Sequence, residues 1–201
     1  MSYWNSSFST KELYTNWNYK KINKGCTNRY SAGILPYTFD QSGNCHFLLG
    51  KDNDGDWSDF GGRCELKDNN DEKNTASREF YEETLGSIIN INECFEKINN
   101  PGINKIISKT LNGSPYYMYL IYIDYLNYSE SFIKTSNFIK YQFSNDKKNI
   151  SKIIEKTCIR WVSMDTLLNC VENKDFSSPI SLRGVFYKTL ENFKDQLLFL
   201  R

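Results

Sequence analysis

The chain has 201 residues, enough for one domain with a sizeable core. Hydrophobic residues make up 39% and charged residues 24%, which is ordinary for a soluble globular protein, and the 15% of aromatics argues against disorder. The formal net charge of +1 excludes a general electrostatic pull toward nucleic acid or membrane, although a local basic groove remains compatible with it.

Residues 1–28 mix turn-forming Asn, Ser and Gly with Trp4, Tyr14 and Trp17, and are expected to form an extension packed on a main domain of residues 29–201. They lack the apolar core of a signal peptide. Tyr30 to Tyr37 reads as a strand, followed by a turn at Asp40 to Asn44 and a return strand at Cys45 to Gly50. A second polar turn covers Asp52 to Asp56, and Trp57 to Gly62 is a short strand running into a double glycine. Glu65 to Asn74 is a polar loop. Thr75 to Leu85 fits a helix ended by Gly86, whose left-handed conformation suits a helix C-terminus.

Ile103 to Leu111 and Tyr116 to Leu126 read as strands joined at Asn112-Gly113, the strongest short hairpin signal in the chain. The second of these is too short to span a bilayer as a helix and is broken by Asp124. Tyr128 to Asp146 reads as helix plus loop, and Cys158 to Val162 as a strand. Ser163 caps a short helix through Val171, and Ile180 to Leu198 has the apolar spacing of a closing amphipathic helix. The cysteines at 26, 45, 64, 94, 158 and 170 form no C-x-x-C pair, and His46, the single histidine, cannot complete a zinc site of ordinary spacing. They are expected to be reduced packing residues of a soluble cytoplasmic protein.

The chemistry concentrates in Arg78-Glu79-Phe80-Tyr81-Glu82-Glu83-Thr84-Leu85-Gly86. Positions i, i+3 and i+4 of a helix share a face, so Glu79, Glu82 and Glu83 lie along one stripe, with Ala76, Phe80 and Thr84 beside it to pack on a sheet. Three neighbouring carboxylates repel each other, and a divalent cation relieves that charge better than Arg78 alone. Hard oxygen donors of this kind select Mg²⁺ or Mn²⁺ over zinc. Gly61-Gly62, ahead of the helix, permits close approach of backbone to an ion or phosphate.

This segment resembles the Nudix box, whose pattern is a glycine, a spacer, a glutamate, then Arg-Glu-apolar-x-Glu-Glu-x-Gly, with Gly61-Gly62 matching its glycine and Arg78, Glu79, Phe80, Glu82 and Glu83 its core. SAGILPY resembles that family's first strand, FLLGKD its partner, and IRWVSMDTLL its late strand and helix, so the likeness covers roughly residues 29–170. Some members from large DNA viruses share the REF-x-EET style. The resemblance implies an α/β fold, a Nudix-type α/β/α sandwich with a mixed central sheet and the loop-helix of the box. It implies a metal site of Glu79, Glu82, Glu83 and the Gly61 carbonyl, with Arg78 orienting the glutamates. Glu82, Glu83 or Glu155 would take the proton from water, and Glu65 would have a secondary role. The spacer is two residues longer than the usual pattern, so the acid that orients Arg78 is either Asp68 or one of Asp71 and Glu72. Gly86 also comes one residue late, after Leu85.

The implied activity is ion-dependent cleavage of a diphosphate linkage, with Mg²⁺ as cofactor, or Mn²⁺ in its place. A nucleoside diphosphate joined to another group is the favoured substrate. Capped RNA and diphosphoinositol polyphosphates are alternatives, and a non-catalytic nucleotide-binding module is the competing class. Arg29, Lys51, Arg63 and Lys109 are candidate phosphate contacts, and Tyr37 and Tyr117 candidate stacking partners. The sequence gives no signature of an oligomer interface.

Overall fold

The structure, a computed structural model, describes residues 29–172 and 180–198, so the packing expected of residues 1–28 lies outside it. One mixed sheet of seven strands runs through the described residues. Its centre is β1 (Ser31–Phe39), which pairs in parallel with β6 (Pro115–Tyr122). β5 (Asn104–Lys109) closes that side as the antiparallel partner of β6. On its other side β1 meets β2 (Cys45–Asp52) through residues 37–39 and β4 (Phe60–Arg63) through residues 31–34. β2 continues away from β1 and pairs with β7 (Lys156–Ser163), while β3 (Trp57–Ser58) meets β2 at Gly50 and Lys51. The single segment 57–63 therefore fills the wedge where β1 and β2 diverge, and Asp59 sits buried at its break.

Strand side chains alternate between faces, and each face is covered by helices. Tyr119 and Ile121 of β6 join the layer of α1 (Glu72–Glu83), α2 (Ile91–Ile98) and α3 (Tyr128–Gln142), which contribute Ala76, Phe80, Cys94, Ile98 and Phe132. A short helix, α4 (Lys147–Ile153), leads into β7. Met118 and Leu120 face the opposite layer, where α5 (Met164–Glu172) and α6 (Gly184–Leu198) supply Leu167, Phe186, Leu190 and Leu197. The result is an α/β/α sandwich with a mixed central sheet, the layering expected from the sequence. Among the described residues no helix is long and apolar enough to cross a membrane.

Helix α1 starts three residues earlier than the spacing predicts, because Asp71 caps it by accepting from the Lys73 amide at 2.8 Å. It stops at Glu83, and Leu85 and Gly86 are both left-handed, with φ of 55° and 61°. α2 and α4 are additions to the sequence reading. The closing helix begins at Gly184 rather than Ile180, because the preceding residues bond to β3 instead. Leu182 bridges Trp57, the Trp57 amide donates to the Ser181 carbonyl at 2.7 Å, and the Arg183 amide donates to the Trp57 carbonyl at 2.9 Å. Cys45, Cys94, Cys158 and Cys170 are in the reduced state, as expected, but Cys64 is disulfide-bonded, which corrects the expectation that all were reduced.

Gly86 has a specific structural duty. A Cβ there would stand 2.7 Å from the Tyr81 ring, at a φ that L-residues rarely adopt. Gly86→Ala is expected to destabilise the protein by about 2 kcal/mol, lowering Tm by roughly 4–8 °C in a thermal melt. An unchanged melting curve would show that this turn tolerates a side chain.

Candidate active site

Arg78 organises the site from a nearly closed position. Its guanidinium uses all five N–H donors. Nε donates to Asp68 Oδ1 at 2.8 Å, and Nη2 donates to Asp68 Oδ2 and the Arg63 carbonyl, both at 2.9 Å. Nη1 donates to Glu79 Oε1 at 2.7 Å and to Glu82 Oε2 at 3.0 Å. Asp68 is therefore the spacer acid that orients Arg78, and Asp71 has the separate job of capping α1. Asp68 itself is only 2% exposed and also accepts from the Glu65 amide at 2.8 Å and the Thr75 hydroxyl at 2.9 Å. Burial works to raise its pKa, but the hydrogen bonds from Arg78 and Glu65 outweigh it and hold the carboxyl low. Burial likewise opposes the Arg78 charge, and Asp68, Glu79 and Glu82 outweigh it and raise its pKa.

The other two carboxylates meet the glycine strand. Gly62 has no side chain because the Glu79 carboxyl lies where its Cβ would be, 2.4 Å from the carboxyl carbon. Glu83 Oε2 accepts from the Gly61 amide at 2.8 Å. Burial pushes Glu79 up to about 7, against the pull of Arg78, and Glu83 up to about 8, against the pull of Lys156. Glu155 is exposed, yet close enough to push both glutamates further upward. Glu65 contributes weakly, pairing with Lys67 at 3.3 Å and Arg78 at 3.9 Å.

A cation stands in the wedge between β2 and α1. The Lys156 side chain is 0% exposed, and its Nζ lies 2.6 Å from Asp52 Oδ1 and 3.4 Å from Glu83 Oε1. It also donates to the Ser58 hydroxyl at 2.9 Å. Beside it Asp59 accepts a hydrogen bond from the Tyr116 hydroxyl, and burial pushes the Asp59 carboxyl up to about 6.

A cavity of about 620 Å³ opens beside Gly61 and Gly62, which form part of its lining. Arg29, Arg63 and Arg183 line it, with Tyr116, Leu111 and Phe186 as its less polar walls. Two of the four cationic residues suggested by the sequence thus reach it. Lys51 instead lies over the Trp57 ring at 5.9 Å, and Lys109 ends β5 opposite Pro115. Tyr37 packs edge-on against Phe39 and Tyr122, and Tyr117 lies under the Lys105 ammonium, so neither lines the cavity. Sequence reasoning missed Asp59, Tyr116, Lys156 and Arg183.

Glu79, Glu82 and Glu83 on α1, with the Gly61 carbonyl on β4, provide the hard oxygen donors that Mg²⁺ or Mn²⁺ prefers. In the present arrangement they face Arg78, Lys67, Lys156 and the Gly61 amide. Among the described residues no three His, Cys, Asp or Glu side chains converge tightly enough to hold an ion. The donor chemistry fits a divalent ion, and Glu82 and Glu83 would have to turn from Lys67 and Lys156 to meet it.

No family model matches the chain, and no curated protein matches it either. Several solved structures are similar to it. The NUDIX domain of Shewanella oneidensis NrtR, complexed with ADP ribose, is 12% identical with a TM-score of 0.48, over 94% of this chain and 99% of that one. RenU, a Nudix hydrolase from M. smegmatis, is 12% identical with a TM-score of 0.45, over 84% and 86%. A C. elegans Ap4A hydrolase is 16% identical with a TM-score of 0.44, over 85% and 99%. Likeness at this level says nothing of substrate or activity.

Proposed function

We propose that this chain is a Nudix hydrolase that uses a divalent ion to cleave a diphosphate linkage in a nucleoside diphosphate joined to another group. The observation that carries this reading is Arg78, whose five donors hold Asp68, Glu79 and Glu82 in one constellation against the Gly61-Gly62 strand. A helix that was merely acidic would keep its carboxylates in water. Here two of the three are buried, which costs stability unless the arrangement serves something else.

Glu79, Glu82, Glu83 and the Gly61 carbonyl would hold the ion. When bound, it would neutralise phosphate oxygens and ease removal of a proton from water. Arg78 fixes Glu79 and Glu82, and the Gly61 amide fixes Glu83. Arg29, Arg63 and Arg183 would bind the phosphates, and Tyr116, Leu111 and Phe186 would enclose the attached group. Glu155, exposed at the entry to β7 and electrostatically close to Glu79 and Glu83, is our choice to accept the proton from water.

The test is Mg²⁺-dependent product release from a panel of ADP-ribose, dinucleoside polyphosphates, cap analogues and inositol pyrophosphates. We expect turnover of at least one nucleoside diphosphate derivative, reduced about 100-fold or more by Glu83→Gln. Tight nucleotide binding that needs no ion and gives no turnover would instead identify a binding module. Preference for inositol pyrophosphates would move the substrate class.

A further inference from the structure

We propose that Lys156 is a resident cation at Glu83 that competes with a divalent ion for this carboxylate, keeping ion binding weak until a diphosphate arrives. The inference rests on the reading of Glu79, Glu82 and Glu83 as ion ligands.

Both oxygens of Glu83 already have partners, the Gly61 amide at 2.8 Å and the Lys156 ammonium at 3.4 Å. An ion using Glu83 must therefore displace the ammonium or sit beside it, and two cations sharing a buried carboxylate repel strongly. The situation at Glu82 is different. Lys67, its partner at 3.0 Å, is about one-third exposed and can swing into water. Lys156 has no such exit. Its stem is wedged against Gly50, where a Cβ would come within 2.9 Å of it, and its Nζ lies over the Phe60 ring at 6.0 Å. Asp52 and the Ser58 hydroxyl hold the ammonium from the other side, at 2.6 and 2.9 Å.

A diphosphate adjoining the site adds negative charge where two cations are crowded. It favours the ion-bound form, so ion and substrate should each strengthen binding of the other. The lysine thereby ties occupancy by the ion to occupancy by a phosphate-bearing substrate. This is a positioning role for Lys156, which touches neither reacting atom.

The test measures Mn²⁺ affinity of the full chain without substrate, by calorimetry or electron paramagnetic resonance. Lys156→Met should tighten binding about tenfold, and adding Glu83→Gln to that variant should remove the gain. A lysine that merely supports the fold would give unchanged or weaker binding when replaced, and that result overturns the proposal. Glu79→Gln separates the two levels. If the unaltered protein binds no ion, or Glu79→Gln leaves binding intact, the reading of the site fails. If ion binding depends on Glu79 but Lys156→Met does not tighten it, only the competition fails. Should Lys156→Met not fold, the ammonium resonance of Lys156 is followed in unaltered, ¹⁵N-lysine-labelled protein as Mg²⁺ is added. It should shift with the same midpoint as ion binding, and indifference at saturation overturns the proposal.

Discussion

Arg78→Ala is expected to cost about 3–5 kcal/mol, the loss seen when one partner of a buried ion pair is removed. The reasoning begins with what stays behind. Asp68 and Glu79 are both buried, and each loses its hydrogen bonds to the guanidinium while its own desolvation remains. The Arg63 carbonyl loses a donor as well. A loss of this size is a large share of the roughly 5–15 kcal/mol that keeps a domain folded, so chemical denaturation should show a sharply lowered midpoint or no folded baseline. Arg78→Lys should recover only part, because an ammonium has three donors at a point and cannot span Asp68, Glu79, Glu82 and Arg63 together. Coupling is the sharper measurement. Arg78→Met combined with Asp68→Asn should cost at least about 1 kcal/mol less than the sum of the single changes, since removing both charges leaves fewer orphans. Strict additivity would mean that Arg78 and Asp68 contribute separately, and the picture of Arg78 as the hub of the site would go.

Much of this hub is legible in the amino-acid sequence. The stripe of Glu79, Glu82 and Glu83 follows from helical spacing, and Ala76, Phe80 and Thr84 are buried beside it as that spacing requires. The hairpin at Asn112-Gly113 is present, with Gly113 at φ 78°. The choice between Asp68 and Asp71 was not legible. The longer spacer forms a turn of 3-10 helix, Leu66–Asp68, with Asn69 and Asn70 left-handed after it, and this folds the extra residues so that Asp68 returns to Arg78. Counting residues along the chain cannot show such a return. Helix α2 carries a local signal of its own. Asn90 caps it by accepting from the Glu93 amide at 2.9 Å, and Cys94 and Ile98, four apart, face the core.

Lys156 was hidden for a different reason. Cys158 and Val162 point to the layer of α5 and α6, and strict alternation places Lys156 with them. The pairing of β2 with β7 slips between Lys51 and Asp52, so that Lys51 faces Cys158 but Asp52 faces Lys156. One unpaired residue, Thr157, turns the lysine onto the other face, against Phe60 and Glu83. Arg183 and Asp59 were missed because their neighbourhood is made by a contact between residues far apart in sequence, the bridge of Trp57 to Leu182. Local pattern reports faces, and this site is assembled across a wedge between two diverging strands.

Gly62→Ala is expected to leave the fold nearly intact and to lower turnover about 100-fold or more. The added methyl would stand 2.4 Å from the Glu79 carboxyl carbon and Oε1 and 2.6 Å from Oε2. No rearrangement of the glycine strand is needed to relieve that contact, because the obstructing atoms are the end of a flexible side chain. Glu79 would swing away and break its 2.7 Å hydrogen bond from Arg78. The expected cost in stability is about 1–2 kcal/mol, far below that of removing Arg78, because Arg78 keeps Asp68 and Glu82. Turnover is more sensitive, since a displacement of about 1 Å of a ligand at a reacting centre costs roughly 100-fold. Mn²⁺ affinity should fall alongside it, which ties the loss to Glu79 as ion ligand rather than to substrate binding in the cavity. Gly86→Ala supplies the contrast, since it strains the end of the same helix and is expected to lower Tm while leaving ion affinity within about threefold. If Gly62→Ala kept both its turnover and its Mn²⁺ affinity, Glu79 could not be the ligand that the glycine strand makes room for.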